Sequence, residues 1–217
     1  PAVATGDTPV IQRKLAIPEV SERALGRPRL DRLLAMLVER YPVVWVAATA
    51  GAGKTTAVVQ AARAIERPVA WLTLDATDAA PGRLVTYLEA ALTRCAPQVR
   101  GVGTGALARR IAHAEAAGLL AEAVGRSPVL LVIDELERLA EAPEALAALS
   151  GLLRYAPPSM LAGGRVNIAP RAHLRKTSSW YSRRTRRSSL VRGRNQCRAQ
   201  RSPSSSTKVI ASAYCGS

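Results

Sequence analysis

The chain has 217 residues, with 31 Lys plus Arg against 16 Asp plus Glu and a formal net charge of +15. That excess is local, because residues 1–160 hold 18 basic and all 16 acidic residues, whereas residues 161–217 hold 13 basic residues and no acid. Cys95, Cys197, Cys215 and two histidines lack disulfide-framework or zinc-ligand spacing, and the longest uncharged stretch, residues 41–53, falls short of the roughly 18–20 apolar residues of a membrane helix; a secreted disulfide scaffold, a zinc module and a membrane protein are excluded, and reducing cytoplasm is expected.

Residues 1–24, polar and carrying Pro9 and Pro18, read as an extended lead-in. From Pro28, the residues Leu30, Leu33, Leu34, Leu37 and Val38 recur at helical spacing, so an amphipathic helix is expected there. Residues 43–47 are a short β-branched run that ends in a glycine-rich loop, the pattern of a buried parallel strand. A helix over about 54–65 follows, then a second strand over 69–74 and a turn over 75–81. The next helix has Leu84, Val85, Leu88, Ala91, Leu92 and Cys95 on one face. Pro97, Gly101, Gly103 and Gly105 suggest a loop. Beyond it an Ala-rich helix is expected over about 106–124, a third strand over 128–133 and a last helix over 143–155. Strands alternating with helices predict an α/β domain over residues 25–160, with a parallel sheet covered on both faces. Residues 161–217 are rich in Arg and Ser and have no helical period, so this basic tail is expected to be disordered. Residues 166–168 and 208–210 are fragments too short to decide anything.

One segment carries chemistry. Ala48, Thr49, Ala50, Gly51, Ala52, Gly53, Lys54, Thr55 and Thr56 stand between a strand and a helix, the context of a Walker A phosphate loop. Small residues let consecutive backbone N–H groups curl around phosphate oxygens, and the following helix offers its free amides and positive dipole end. Lys54 supplies a point charge for the β- and γ-phosphates of ATP, and Thr55 a hydroxyl for Mg²⁺. Ala48 stands where the pattern has glycine, which is tolerable if that position needs no positive φ. At the end of the third strand come Asp134 and Glu135. Asp134 is the expected anchor of the Mg²⁺ shell, and Glu135 the expected catalytic group that orients or deprotonates the attacking water. The plainer alternative makes both the acidic start of the next helix. Asp75 and Asp78 also fall at the mouth of the sheet, where turn formation is the simpler reading.

Residues 14–160 resemble the nucleotide-binding domain of MalT-like, large LuxR-type transcriptional regulators, which are P-loop NTPases of the STAND class. Besides the phosphate loop, the resemblance rests on KLAIP at 14–18, GRPRLDRLL at 26–34, AWLTLDATD at 70–78, LEAAL at 88–92 and LLVIDELERL at 130–139. It implies a three-layer P-loop NTPase sandwich working as an ATP-operated switch. Gly26 and Arg27 would lie near the nucleotide base, with Lys54, Thr55 and Thr56 on the phosphates and Asp134 on the magnesium; for Arg27, helix packing serves equally well. The resemblance also implies a further strand, inserted between those of the phosphate loop and of Asp134, and then sensing and DNA-binding regions. Here Met160 is followed by LAGGRVNIAPRAHLRK. A sheet lacking an inner strand is expected either to open a gap or to bring its neighbours together by about one strand spacing, 4.8 Å; either outcome would misplace Asp134 relative to Lys54 and leave hydrolysis poor or absent.

Arg outnumbers Lys 27 to 4 and Phe is absent, as in GC-rich coding, and the tail has the composition of a shifted reading frame in such DNA. The expectation is therefore an incomplete, truncated domain with a frameshifted tail. A second reading makes the chain a nucleic-acid-binding protein whose 13 tail charges grip phosphates without sequence choice. No membrane partner is expected, and self-association is left open.

Overall fold

The computed structural model describes residues 9–41, 43–49, 51–125 and 127–156, together with the backbone of 163–166 and 208–212. In chain order the elements are α1 (Pro28–Arg40), β1 (Val43–Ala47), α2 (Lys54–Arg63), β2 (Val69–Thr73), α3 (Arg83–Thr93), α4 (Val102–Ala108), α5 (His113–Val124), β3 (Leu130–Asp134), α6 (Pro143–Tyr155), β4 (Gly163–Val166) and β5 (Lys208–Ser212). Short 3-10 turns lie at Gln12–Leu15, Ala76–Ala79, Pro97–Val99 and Leu136–Leu139.

The strands form one sheet in the order β2-β3-β4-β1-β5. β2, β3, β4 and β1 run parallel, and β5 is antiparallel to β1. Alternation along each strand divides the core between the two faces, because successive side chains point to opposite sides. Val44, Val46, Trp71, Leu130 and Val132 pack with α1 and α2. Ala70, Leu72, Leu131 and Ile133 face the other way, into a larger cluster with α3, α5 and α6. All of β3 is buried, as expected of an inner strand covered on both faces.

Two features depart from the sequence reading. The inner place between β1 and β3 is filled by residues 163–166, whose Gly163 to Val166 pair in register with Val43 to Val46. The expected gap is therefore absent, and so is the displacement of Asp134 that it implied. The reason is that a sheet is joined by backbone N–H and C=O groups, which every non-proline residue supplies, so Gly-Gly-Arg-Val can complete a ladder without an apolar pattern. Residues 208–212 likewise form a strand at the edge. The rest of the segment expected to be disordered, 167–207 and 213–217, lies outside the described residues.

The glycine-rich loop expected at 97–105 is the second departure, for part of it is helix α4. Gly103 belongs to that helix because two elements approach closely there: a Cβ on it would lie 2.9 Å from Val85 Cγ1. The Glu89 carboxylate, on α3, accepts from the amides of Gly101 and Thr104 and satisfies the start of α4. The single Ala-rich helix is thus divided at Arg110. Ile111 N–H donates to Ala106 O at 3.1 Å and Arg110 N–H to Leu107 O at 2.9 Å, a Schellman ending with Arg110 at φ 61°, where glycine is the usual occupant. Arg110→Gly is therefore expected to stabilise the fold by roughly 0.5–1 kcal/mol, since the strain removed exceeds glycine's added chain entropy. A urea unfolding curve with a raised midpoint and unchanged slope checks this.

Candidate phosphate-loop site

The candidate site is assembled by three stretches: the loop after β1, the end of β3, and the residue preceding α1. In the loop, Gly51 and Gly53 have φ of 76° and 75°, a region in which a Cβ is strained. Ala48 does not share this requirement, since the non-glycine residues with positive φ among those described are Arg110 and Glu135. Alanine at the first loop position is thus compatible with the turn. Gly53 precedes the first turn of α2 and no side chain caps that turn, so the free amides of Lys54, Thr55 and Thr56 stand at the positive end of the helix.

The Lys54 side chain is 8% exposed and folds back on the loop, with Nζ donating to the carbonyls of Ala48 at 3.4 Å and Thr49 at 3.3 Å. Thr55 Oγ1 donates to Asp134 Oδ2 at 3.0 Å, and the Glu135 amide donates to Asp134 Oδ1 at 3.0 Å. Asp134 is 3% exposed, and burial pushes its carboxyl above the usual carboxylate range, opposed by those two hydrogen bonds. The carbonyl of Asp134 accepts from Leu74 N–H beyond β2, which fixes the end of β3 against its neighbour. Arg27 reaches the loop from the residue before α1: Nη1 donates to Ala52 O at 3.1 Å, and a Cβ on Gly53 would lie 3.6 Å from Nη2. Arg27 thus sits against the glycine-rich loop.

The fold brings together Ala48, Ala52, Gly53, Lys54, Thr55, Asp134 and Arg27. Glu135 is arranged differently, in a left-handed conformation with its carboxylate 3.4 Å from Arg138 Nε. Neither acid starts a helix of α type; Glu135 leads into the 3-10 turn Leu136–Leu139. Asp75 serves as a turn residue. It accepts from the Thr77 amide in a reciprocal cap with Asp78, and hydrogen bonds from Thr77 and then Lys14 lower its carboxyl to about 2. Asp78 is fully buried and pairs with Lys14 from the lead-in. Sequence reasoning did not assign this pair, and its one local signal is a lysine beside the buried Leu15.

These residues fit a triphosphate and a divalent cation. The positive-φ glycines open a backbone cradle beside an uncapped helix start. Asp134 and Thr55 offer two oxygens in mutual contact, which suits a Mg²⁺ ion that takes one or two protein oxygens and completes its shell with phosphates and water. Among the described residues there is no group of three or more His, Cys, Asp or Glu that could hold a metal by itself. Among them, too, no helix is long and apolar enough to cross a membrane. The nucleic-acid reading rests on the basic segment, most of which lies outside the described residues. Compared with known proteins, the chain matches no family model and no curated protein.

Proposed function

We propose that the chain is an ATP-binding switch domain of the kind found in LuxR/MalT-like regulators, with a P-loop NTPase sandwich as its scaffold. The observation that carries the reading is the 3.0 Å contact between Thr55 and Asp134, which joins the helix after the loop to the acid at the end of β3. In this reading the amides of Gly51 to Thr56 and the Lys54 ammonium hold the β- and γ-phosphates, and Thr55 and Asp134 hold Mg²⁺. When bound, Mg²⁺ neutralises charge on the phosphates. Arg27 positions the loop through Ala52 and adds positive charge at its rim. Glu135 orients the attacking water. Its pairing with Arg138 is partly exposed and costs under about 1 kcal/mol to open, so it slows hydrolysis without forbidding it.

Lys54→Ala is expected to weaken Mg-ATP binding by about 1.5–3 kcal/mol, roughly ten- to hundredfold, because it removes a charge-assisted contact to phosphate. Isothermal titration of both proteins checks this, and equal affinities would defeat the assignment of the loop.

A further inference from the structure

A cleft of about 570 Å³ opens where Pro81 and Gly82, just before α3, and the starts of α5 and α6 meet the turn joining α4 to α5. It shares no residue with the phosphate loop, and its volume falls in the range of small-molecule sites. Its lining carries opposite charges, Arg110 on the α4–α5 turn and Glu144 in the first turn of α6. The Arg110 guanidinium is exposed and makes no hydrogen bond or ion pair among the described residues. Glu144 lies beside His113, with Oε2 3.5 Å from the imidazole Nδ1, and keeps a side chain 55% exposed. The lining also carries hydrocarbon, supplied by Leu107, Ile111 and Ala147.

This inventory selects a ligand class. A molecule with negative charge alone is repelled by Glu144, and one with positive charge alone by Arg110. A molecule with a carboxylate and an ammonium satisfies both, and the wall accepts its hydrocarbon side chain. We propose that the cleft binds a free amino acid with an apolar side chain, at a site separate from the phosphate loop and independent of the nucleotide reading.

The test uses the full chain and L-leucine, followed by saturation-transfer NMR and calorimetry. Two analogues each lack one charge: 3-methylbutylamine has no carboxylate, and 4-methylpentanoate has no ammonium. L-Leucine is expected to bind, and each analogue to bind at least about tenfold more weakly, the value of one charge-assisted contact. Three variants alter the cleft at exposed positions, so that folding is retained. Arg110→Gly and Glu144→Gln should each weaken L-leucine binding by about tenfold. Ala147→Trp, which fills the cleft, should abolish it. The proposal is overturned if L-leucine gives no signal up to about 10 mM, a concentration that would detect even millimolar affinity. It is equally overturned if the analogues bind as well as L-leucine, or if binding survives Ala147→Trp.

Discussion

Replacement of Lys14 by methionine is expected to destabilise the fold by about 3–5 kcal/mol, the cost of leaving a buried charge without its partner. Methionine keeps most of the length and apolar stem of lysine and removes the ammonium. Asp78 has no exposed surface. Its Oδ2 receives Lys14 Nζ and the Asp75 amide, whereas Oδ1 has no hydrogen-bond partner. The Arg83 Nε forms an ion pair with Oδ1 at 3.7 Å, too long for a hydrogen bond and from a side chain 38% exposed, so it does not replace the buried Lys14 ammonium. Lys14 also stands 4.3 Å from the centre of the Tyr87 ring, and the Tyr87 hydroxyl accepts from Ile11 N–H, so the lead-in is fastened to α3 at two points. Urea unfolding of Lys14→Met, of Asp78→Asn and of the double variant measures the coupling. The double variant should recover much of the loss, because it leaves no buried charge. A single-variant cost under about 1 kcal/mol would mean that the pair is solvated and not a fastening.

Gly151→Ala should also destabilise strongly, on the order of 3 kcal/mol, although alanine is the better helix former by about 1 kcal/mol. A Cβ on Gly151 would land on the backbone of α5, 2.6 Å from the carbonyl carbon of Ala114 and 2.9 Å from its Cα. Backbone cannot turn aside as a flexible side chain can, so α5 and α6 would have to separate along the seam where they pack. Gly118, which faces Tyr155 across the same seam, shows how short the separation is: a Cβ there would lie 2.7 Å from Tyr155 Cδ2. Ser150→Ala, at an exposed position of the same helix, is the control and should leave stability within about 0.5 kcal/mol. Thermal melts followed by circular dichroism separate the two outcomes. A neutral Gly151→Ala would mean that the helices are farther apart than described.

What was legible in the sequence was local. Strand, glycine loop and helix follow one another from Val43 to Arg63, so residue types and spacing sufficed to anticipate β1, α2 and the turn between them. Asp134 was legible for the same reason, as an acid that closes a continuous apolar run. The strand β4 was not, because Gly163 and Gly164 carry no pattern and its place is set by the open backbone groups of β1 and β3. Helix α4 was hidden by its glycines, of which Gly103 serves close packing against α3 and α5, a constraint contributed by Val85 and Leu120 and absent from the segment itself. The Lys14–Asp78 pair joins residues 64 positions apart, and no periodicity connects them. Glu135 was assigned from its place beside Asp134, yet its side chain is held by Arg138, an i, i+3 partner on a 3-10 turn.

Lys54, Thr55 and Asp134 are proposed to form one site for a magnesium-bound triphosphate. Calorimetric titration of the full chain with ATP, with and without Mg²⁺, in wild type and in Asp134→Asn, tests it most directly. Mg²⁺ is expected to strengthen binding in wild type and to have little effect in Asp134→Asn, while the variant stays as stable as wild type because the amide oxygen accepts from Glu135 N–H and the amide N–H donates to Thr55 Oγ1, without a buried charge. Absence of nucleotide uptake at millimolar ATP, or an equal response to Mg²⁺ in the two proteins, would contradict it.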